Sequence, residues 1–183
     1  MVEIRWHGRG GQGGFTAARI LGTAASVYNG KYAQAFPSFG PERRGAPVLG
    51  FTRIDDKKIA DRSEVNICDY AIVLDETLMG PAVTNGLKED SVILVNTSDA
   101  EKYKQMTNNK IIAIDATSLA LEILGRPITN TAMMGALIAV SGVVDIEAAK
   151  KAIESNMKPS IAEKNKIIIE KAYKITKGVL ENE

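Results

Sequence analysis

Five glycines, Gly8, Gly10, Gly11, Gly13 and Gly14, fall within seven positions directly after the alternating run Val2-Glu3-Ile4-Arg5-Trp6-His7. A stretch so poor in side chains leaves backbone N–H groups free to meet an anion or a close-packed neighbour, and a helix beginning after it adds N-terminal donors of its own. Gly10, Gly11, Gln12 and Gly13 are the residues placed to hydrogen-bond a phosphate-bearing ligand. The same glycines would also serve tight turning and packing against a partner subunit. A second polar set is Glu42-Arg43-Arg44, in a loop with three prolines and two glycines between Pro37 and Pro47. The guanidinium groups of Arg43 and Arg44 suit phosphate or carboxylate, and they equally suit a loop salt bridge or an intersubunit contact.

Gly8-Arg9-Gly10-Gly11-Gln12-Gly13 satisfies the G-x-G-x-x-G spacing of dinucleotide-binding loops. The acidic residue that should follow about 20 positions later to hold a ribose hydroxyl is missing; no Asp or Glu occurs between Gly13 and Glu42. NAD binding is disfavoured on that ground, and a free-standing NADP-dependent reductase, with the arginines taking the 2′-phosphate, stays as a rival. His7, beside the loop, has no titratable partner nearby in sequence, so a structural or ligand-contacting role is favoured over acid–base catalysis. Cys68 precedes an apolar run and reads as a small buried residue. No nucleophile–base pair, metal cluster or P-loop can be assembled, so the residues alone do not support an independent enzyme.

The chain has 183 residues, a formal net charge of +1 and 5% aromatic residues. That balance argues against nucleic acid or an anionic membrane as partner. One cysteine cannot ligate an iron–sulfur cluster or a cysteine-rich zinc site by itself, and a thiol-poor chain is expected in the cytoplasm. No signal peptide is visible, and the longest near-apolar segment, Thr131 to Val144, is too short to span a bilayer.

The elements that position these residues are those of a single three-layer α/β domain over 1–183, with a mostly parallel sheet. Val2, Ile4 and Trp6 predict a strand with one face more buried. Ala17, Ile20, Leu21, Ala24, Ala25 and Tyr28 predict a helix ended by Asn29-Gly30. Lys31–Phe36 and Val48–Ile54 flank the proline loop as a hairpin-like excursion. Tyr70–Leu74, Val92–Val95 and Ile111–Ile114 are short apolar runs typical of buried parallel strands, each ending in polar, cap-forming residues. Helices are expected over Ser118–Leu124, Thr131–Val144 and Asp145–Asn156, and from Pro159 onward. Small residues from Gly135 to Gly142 would let the second approach a neighbour closely, with Met133-Met134 as core or interface. In the last helix, Ile161, Ile168, Ala172, Ile175 and Val179 are expected to form the apolar stripe.

Gly8-Arg-Gly-Gly-Gln-Gly-Gly14, the stretch Phe36-Pro-Ser-Phe-Gly-Pro-Glu-Arg-Arg-Gly-Ala-Pro-Val48 and Asn130-Thr-Ala-Met-Met-Gly135 together resemble the gamma subunit of the 2-oxoacid:ferredoxin oxidoreductases over essentially the whole chain. The resemblance implies a complex that decarboxylates a 2-oxoacid, passes the acyl group to coenzyme A and gives two electrons to ferredoxin. It places thiamine diphosphate, Mg and the iron–sulfur clusters on alpha, beta and delta-type subunits. To the gamma part it assigns assembly and coenzyme A-side contacts. The form Glu42-Arg-Arg-Gly-Ala-Pro47 is similar to the pyruvate-type branch, with 2-ketoisovalerate- and 2-oxoglutarate-type gamma subunits as alternatives. An interaction module without a ligand is the remaining reading.

Overall fold

Alternation in the first strand sorts its side chains to two opposite faces. In the computed structural model, which describes residues 1–38 and 45–182, that strand is β1 (Val2–Arg9). Ile4 and Trp6 are completely buried on one side, beneath helices, while Arg5 and His7 are buried on the other. β1 lies inside a six-stranded sheet of order β2-β3-β1-β4-β5-β6, with β2 Tyr32–Pro37, β3 Pro47–Asp55, β4 Cys68–Val73, β5 Leu87–Asn96 and β6 Lys110–Ile114. β1, β4, β5 and β6 pair in parallel. β3 runs antiparallel to both neighbours, β2 and β1, and is the inserted arm of the hairpin excursion.

The first face carries the larger core. Against Ile4, Trp6, Ile54, Ile72, Leu94 and Ile112 pack α1 (Gly14–Thr23), α3 (Ala116–Leu124), α4 (Asn130–Ser141), α5 (Ile146–Asn156) and α6 (Pro159–Glu181). α1 continues into one π-helical turn, Ala24–Tyr28. α4 is the central helix, with every residue from Asn130 to Ala139 buried. Trp6 Nε1 donates to Thr52 Oγ1 at 3.0 Å, and that hydroxyl donates to the Ala18 carbonyl at 3.3 Å, so one chain of bonds joins β1, β3 and α1.

The second face is a thinner layer. Phe51, Cys68, Ala71, Val73, Ile93 and Val95 are covered by the irregular segment 56–67, the short helix α2 (Pro81–Thr84) and two 3-10 turns. Two buried arginines hold this layer down. Arg5 donates to the carbonyls of Asn66 (3.3 Å), Val83 (3.0 Å) and Asn85 (2.6 Å). Arg53, 1% exposed, pairs with Glu3 at 2.9 Å, donates to the Ser63 carbonyl at 2.8 Å and lies 5.5 Å over the Phe36 ring. Each supplies charge-assisted bonds to backbone that has no ladder of its own.

The expected stripe on α6 is corrected. Its buried face is Ala162, Asn165, Ile168, Ile169, Ala172 and Thr176, whereas Ile161, Ile175 and Val179 are exposed. The helix is rolled toward its small residues because α4 approaches at Gly135, where an added Cβ would clash with the Ile169 carbonyl oxygen. Gly135→Ala is therefore expected to destabilise the chain by about 2–3 kcal/mol through overpacking. Gly178→Ala, in open space on the same helix, should be neutral or stabilising by up to about 1 kcal/mol. Equal denaturation midpoints for the two variants would contradict this packing.

Candidate functional site

The glycine loop spans Gly10–Gly13, between the end of β1 and the start of α1, at the C-terminal edge of the parallel strands. Gly11 (φ 95°) and Gly13 (φ 79°) take left-handed backbone, which explains two of the glycines. At Gly13 a side chain would also collide with Asn130, whose Nδ2 donates to the Gly13 carbonyl at 3.1 Å and moors the loop to the start of α4. Gly8 has Leu74 against it on the same side.

Side chains in and around the loop are spent on holding it. Gln12 Oε1 accepts from the Arg9 amide at 2.8 Å, and Gln12 Nε2 donates to Asp75 Oδ2 at 3.1 Å. Arg9 pairs with the same oxygen at 3.0 Å and also donates to Thr77 Oγ1 (2.8 Å) and to the Gly45 carbonyl (3.1 Å). Asp75 Oδ1 accepts from the Thr77 amide and hydroxyl at 3.0 and 2.6 Å. Burial pushes the Asp75 carboxyl up, but the bonds from Thr77, Gln12 and Arg9 outweigh it and hold the group below its ordinary value. It stays ionised at neutral pH as the hub of the clasp.

Of the loop residues expected to offer donors, the structure separates two kinds. The Gly10 amide is taken by the Ala46 carbonyl at 2.9 Å, and the Gln12 amide by the Arg9 carbonyl at 3.0 Å, so neither is a free donor. The amides of Gly11 and Gly13, and those of Gly14, Phe15 and Thr16 in the first turn of α1, have no acceptor among the described residues. They are the set able to receive an anion. Arg43 and Arg44 lie outside the described residues. Their described neighbour Gly45 donates its amide to the Gly10 carbonyl at 3.3 Å, which puts the end of the proline loop against the glycine loop.

His7 sits on the second face, 3% exposed, and burial together with the nearby Arg5 charge pulls its pKa down to about 3. It is a neutral core residue at physiological pH, with Nε2 unpartnered among the described residues. Cys68 is completely buried and burial raises its thiol pKa, consistent with a packing role. The polar ends of the other parallel strands are likewise bound to each other. Asn96 donates to the Leu74 carbonyl and Thr117 Oγ1, both at 2.9 Å, and Asp115 caps α3 through Ser118. Glu76 is held at a pKa of about 2 by bonds from Lys102, Thr97 and Tyr103. Spacing does not identify Asp75, Arg9 and Asn130 as loop-holding residues; the polar tail of the Tyr70–Leu74 run hints at Asp75 alone.

The topology also bears on the dinucleotide spacing. In dinucleotide-binding folds the strand after the first helix lies parallel beside the first strand and ends near the ribose. Here β3 separates β2 from β1, antiparallel to both. The loop is thus the turn of a different fold.

Comparison with known proteins defines that fold's class. The family model described as pyruvate ferredoxin/flavodoxin oxidoreductase matches residues 3–175, and the chain belongs to that family. It is 53% identical to the pyruvate synthase subunit PorC of Methanocaldococcus jannaschii, across 94% of this chain and 96% of that one. It is 48% identical to the common gamma subunit of the pyruvate/ketoisovalerate oxidoreductases of Thermococcus kodakarensis, across 96% and 97%. The crystal structure of pyruvate oxidoreductase subunit PORC from Thermotoga maritima superposes with a TM-score of 0.84 at 44% identity, covering 94% of this chain and 95% of that one.

Two outcomes follow from this geometry. Asp75→Asn keeps the shape of the hub and removes its charge. Amide exchange at Arg9, Gly10 and Gln12, whose N–H groups are bonded within the clasp and its loop, should speed up, with a global stability loss of only about 1 kcal/mol because the pair is partly solvated; unchanged exchange would show that the clasp does not hold the loop. For His7, the folded pKa lies below the unfolded value of 6.5. The unfolded state therefore binds the extra proton, and stability falls as pH drops from about 6.5 toward 3. Between pH 7 and pH 4 the wild type should lose about 2–3 kcal/mol more than His7→Leu in denaturant titrations.

Proposed function

We propose that this chain is the gamma subunit of a pyruvate:ferredoxin oxidoreductase, contributing assembly and coenzyme A-side contacts to chemistry carried elsewhere in the complex. The observation that carries the reading is similarity over nearly the full length to subunits named for pyruvate synthase, at 53% identity for the one from Methanocaldococcus jannaschii. The reaction converts pyruvate and coenzyme A to acetyl-CoA and CO2, releasing one proton and two electrons, the latter to ferredoxin. Thiamine diphosphate with Mg and the iron–sulfur clusters belong, on this reading, to alpha, beta and delta-type partner subunits. This chain's own resources are backbone amides and guanidinium groups, which bind anions and do not cleave C–C bonds.

For the coenzyme A-side role, the supporting geometry is the set of open amides at Gly11, Gly13 and the first turn of α1, next to the end of the loop that carries Arg43 and Arg44. Donors at a helix N-terminus and guanidinium groups both match phosphate. Gly10 and Gln12 then act as framework, shaping the loop while Gly11 and Gly13 face the anion. The common gamma subunits at 48% identity favour one extension of this reading. A chain of this type serves more than one 2-oxoacid, because the substrate's side chain is read on another subunit.

Purified with its natural partners, the chain should bring down subunits containing thiamine diphosphate and ferredoxin-type clusters; isolation as a free chain under the same conditions would oppose the proposal. The double variant Arg43→Ala/Arg44→Ala should raise the apparent KM for coenzyme A about tenfold or more, the scale of one lost charge-assisted hydrogen bond. Unchanged KM together with unchanged assembly would remove the arginines from the site. Titrating the isolated chain with NADPH tests the rival reductase, for which saturable binding is required.

A further inference from the structure

β2 is an outer strand of the sheet, and nothing among the described residues pairs with its far side. Its register fixes which groups that side presents. Ser38 N–H donates to the Leu49 carbonyl at 2.9 Å, and the antiparallel pairs run Tyr32↔Asp55 to Pro37↔Gly50. Hydrogen-bonded and non-bonded pairs alternate in such a ladder. Tyr32, Gln34 and Phe36 therefore point their backbone groups at β3. Ala33 and Ala35 point both N–H and C=O outward.

Among the described residues, most of this edge lacks the usual protection. Exposed edges are commonly blunted by charge, proline, a bulge or a covering loop. Pro37 blunts only the C-terminal end of β2; between Tyr32 and Phe36 there is no charge, no proline and no register shift. Beside the strand lies an open groove of about 380 Å³, lined by Ala33, Gln34, Ala35, Phe36 and Arg62. Gln34 Nε2 is tied to the Ile59 carbonyl at 3.1 Å, which fixes one wall, and Phe36 is stacked at 5.2 Å on Phe51, which fixes another. Tyr32, 51% exposed, stands at the head of the strand. Arg62 makes no ion pair among the described residues, while its neighbour Asp61 is engaged by Arg53.

From this edge we infer that β2 is the docking strand for an extended, acidic segment of a partner subunit, which adds a seventh strand through Ala33 and Ala35 and places a carboxylate against Arg62. The inference rests on the subunit reading above. Charge decides against a second copy of this chain as occupant. Self-pairing about Gln34 would set Ala33 opposite Ala35 of the other copy and bring two Arg62 side chains to the same face. β2 itself, Tyr-Ala-Gln-Ala-Phe-Pro, carries no carboxylate to meet either of them. An extended segment with Asp or Glu gains the backbone bonds and the ion pair together.

The test uses the full chain, alone and in the complex purified with its partners. In the isolated wild type the Ala33 and Ala35 amides should exchange freely, and in the complex they should slow at least about tenfold. Amides already protected in the isolated chain, or unprotected in the complex, would overturn the inference. Ala35→Pro removes an outward donor and leaves the β2–β3 ladder intact. It should keep the isolated chain's Tm and reduce recovery of partner subunits at least about tenfold. Arg62→Glu should weaken assembly in the same direction at high and low expression, and serves if the proline disturbs β2. Both variants assembling like wild type would overturn the docking strand alone. An isolated wild-type dimer that Ala35→Pro turns into a monomer would assign the edge to a second copy and overturn it as well. A wild-type chain that recovers no partner subunits would remove the subunit reading, and this inference with it.

Discussion

One carboxylate oxygen, Oδ2 of Asp75, is shared by the guanidinium of Arg9 and the amide of Gln12. The shape of the glycine loop depends on that sharing. A loop of this composition has many conformations open to it, and ordering it costs more per residue than ordering any other type. The clasp offsets that cost from outside the loop. Arg9 is the last residue of β1, Asp75 follows β4, and the two strands are parallel neighbours, so the sheet register sets the distance between them. Asn130 adds a second mooring from α4. With its polar side chains engaged below, the loop presents only main-chain amides above.

The two faces of the sheet divide the remaining work. The helical face is built from small residues and close backbone approach, Gly135 against α6 and Gly50 against the start of α1. It supplies rigidity. The second face has little regular backbone, and Arg5 and Arg53 serve there as substitutes for a hydrogen-bond ladder. Burying two guanidinium groups is costly, and it is tolerable because carbonyl and carboxylate oxygens meet most of their donors. The same charge in Arg5 helps keep His7 neutral beside it. Burial first, and the Arg5 charge second, thus keep the histidine at the end of β1 without its proton, in keeping with the structural role favoured for it.

Most of the elements were legible in the residues. β1 shows alternation, the hairpin arms flank the proline loop, and β4, β5 and β6 each contain an unbroken apolar run. The end of α3 is marked by Gly125 in left-handed backbone, whereas α4, expected to run to Val144, stops at Ser141 because Gly142 also turns left-handed. What was not legible depends on contacts between distant segments. The stripe on α6 was misassigned because hydrophobicity ranks isoleucine above alanine, while the packing there selects for small volume at the α4 crossing. Nothing in the residues marks Arg53 for burial, yet it is among the most buried side chains. In the loop, glycine density identified where donors gather but not which amides are already spent. That distinction needs the pairing of Gly10 with Ala46, across 36 positions of chain.

Among the described residues, the groups left open in the glycine loop are ones that bind. Its open donors are main-chain amides, which cannot titrate in the physiological range and so cannot transfer protons in a reaction. The chain's one cysteine is sealed in the second core and its one histidine is held neutral. On the readings proposed above, two surfaces would recognise shape and negative charge: the first turn of α1 with Gly11 and Gly13, and the outer edge of β2. These two are connected through the structure itself. β2 runs into the proline loop, β3 returns from it, and β3 is the strand that pairs with β1 up to Arg9 and the clasp. Occupation of the edge would restrain the hairpin that carries Arg43 and Arg44. On those two proposals, docking and anion binding beside Gly11 would favour each other through β3, without any change in the sheet.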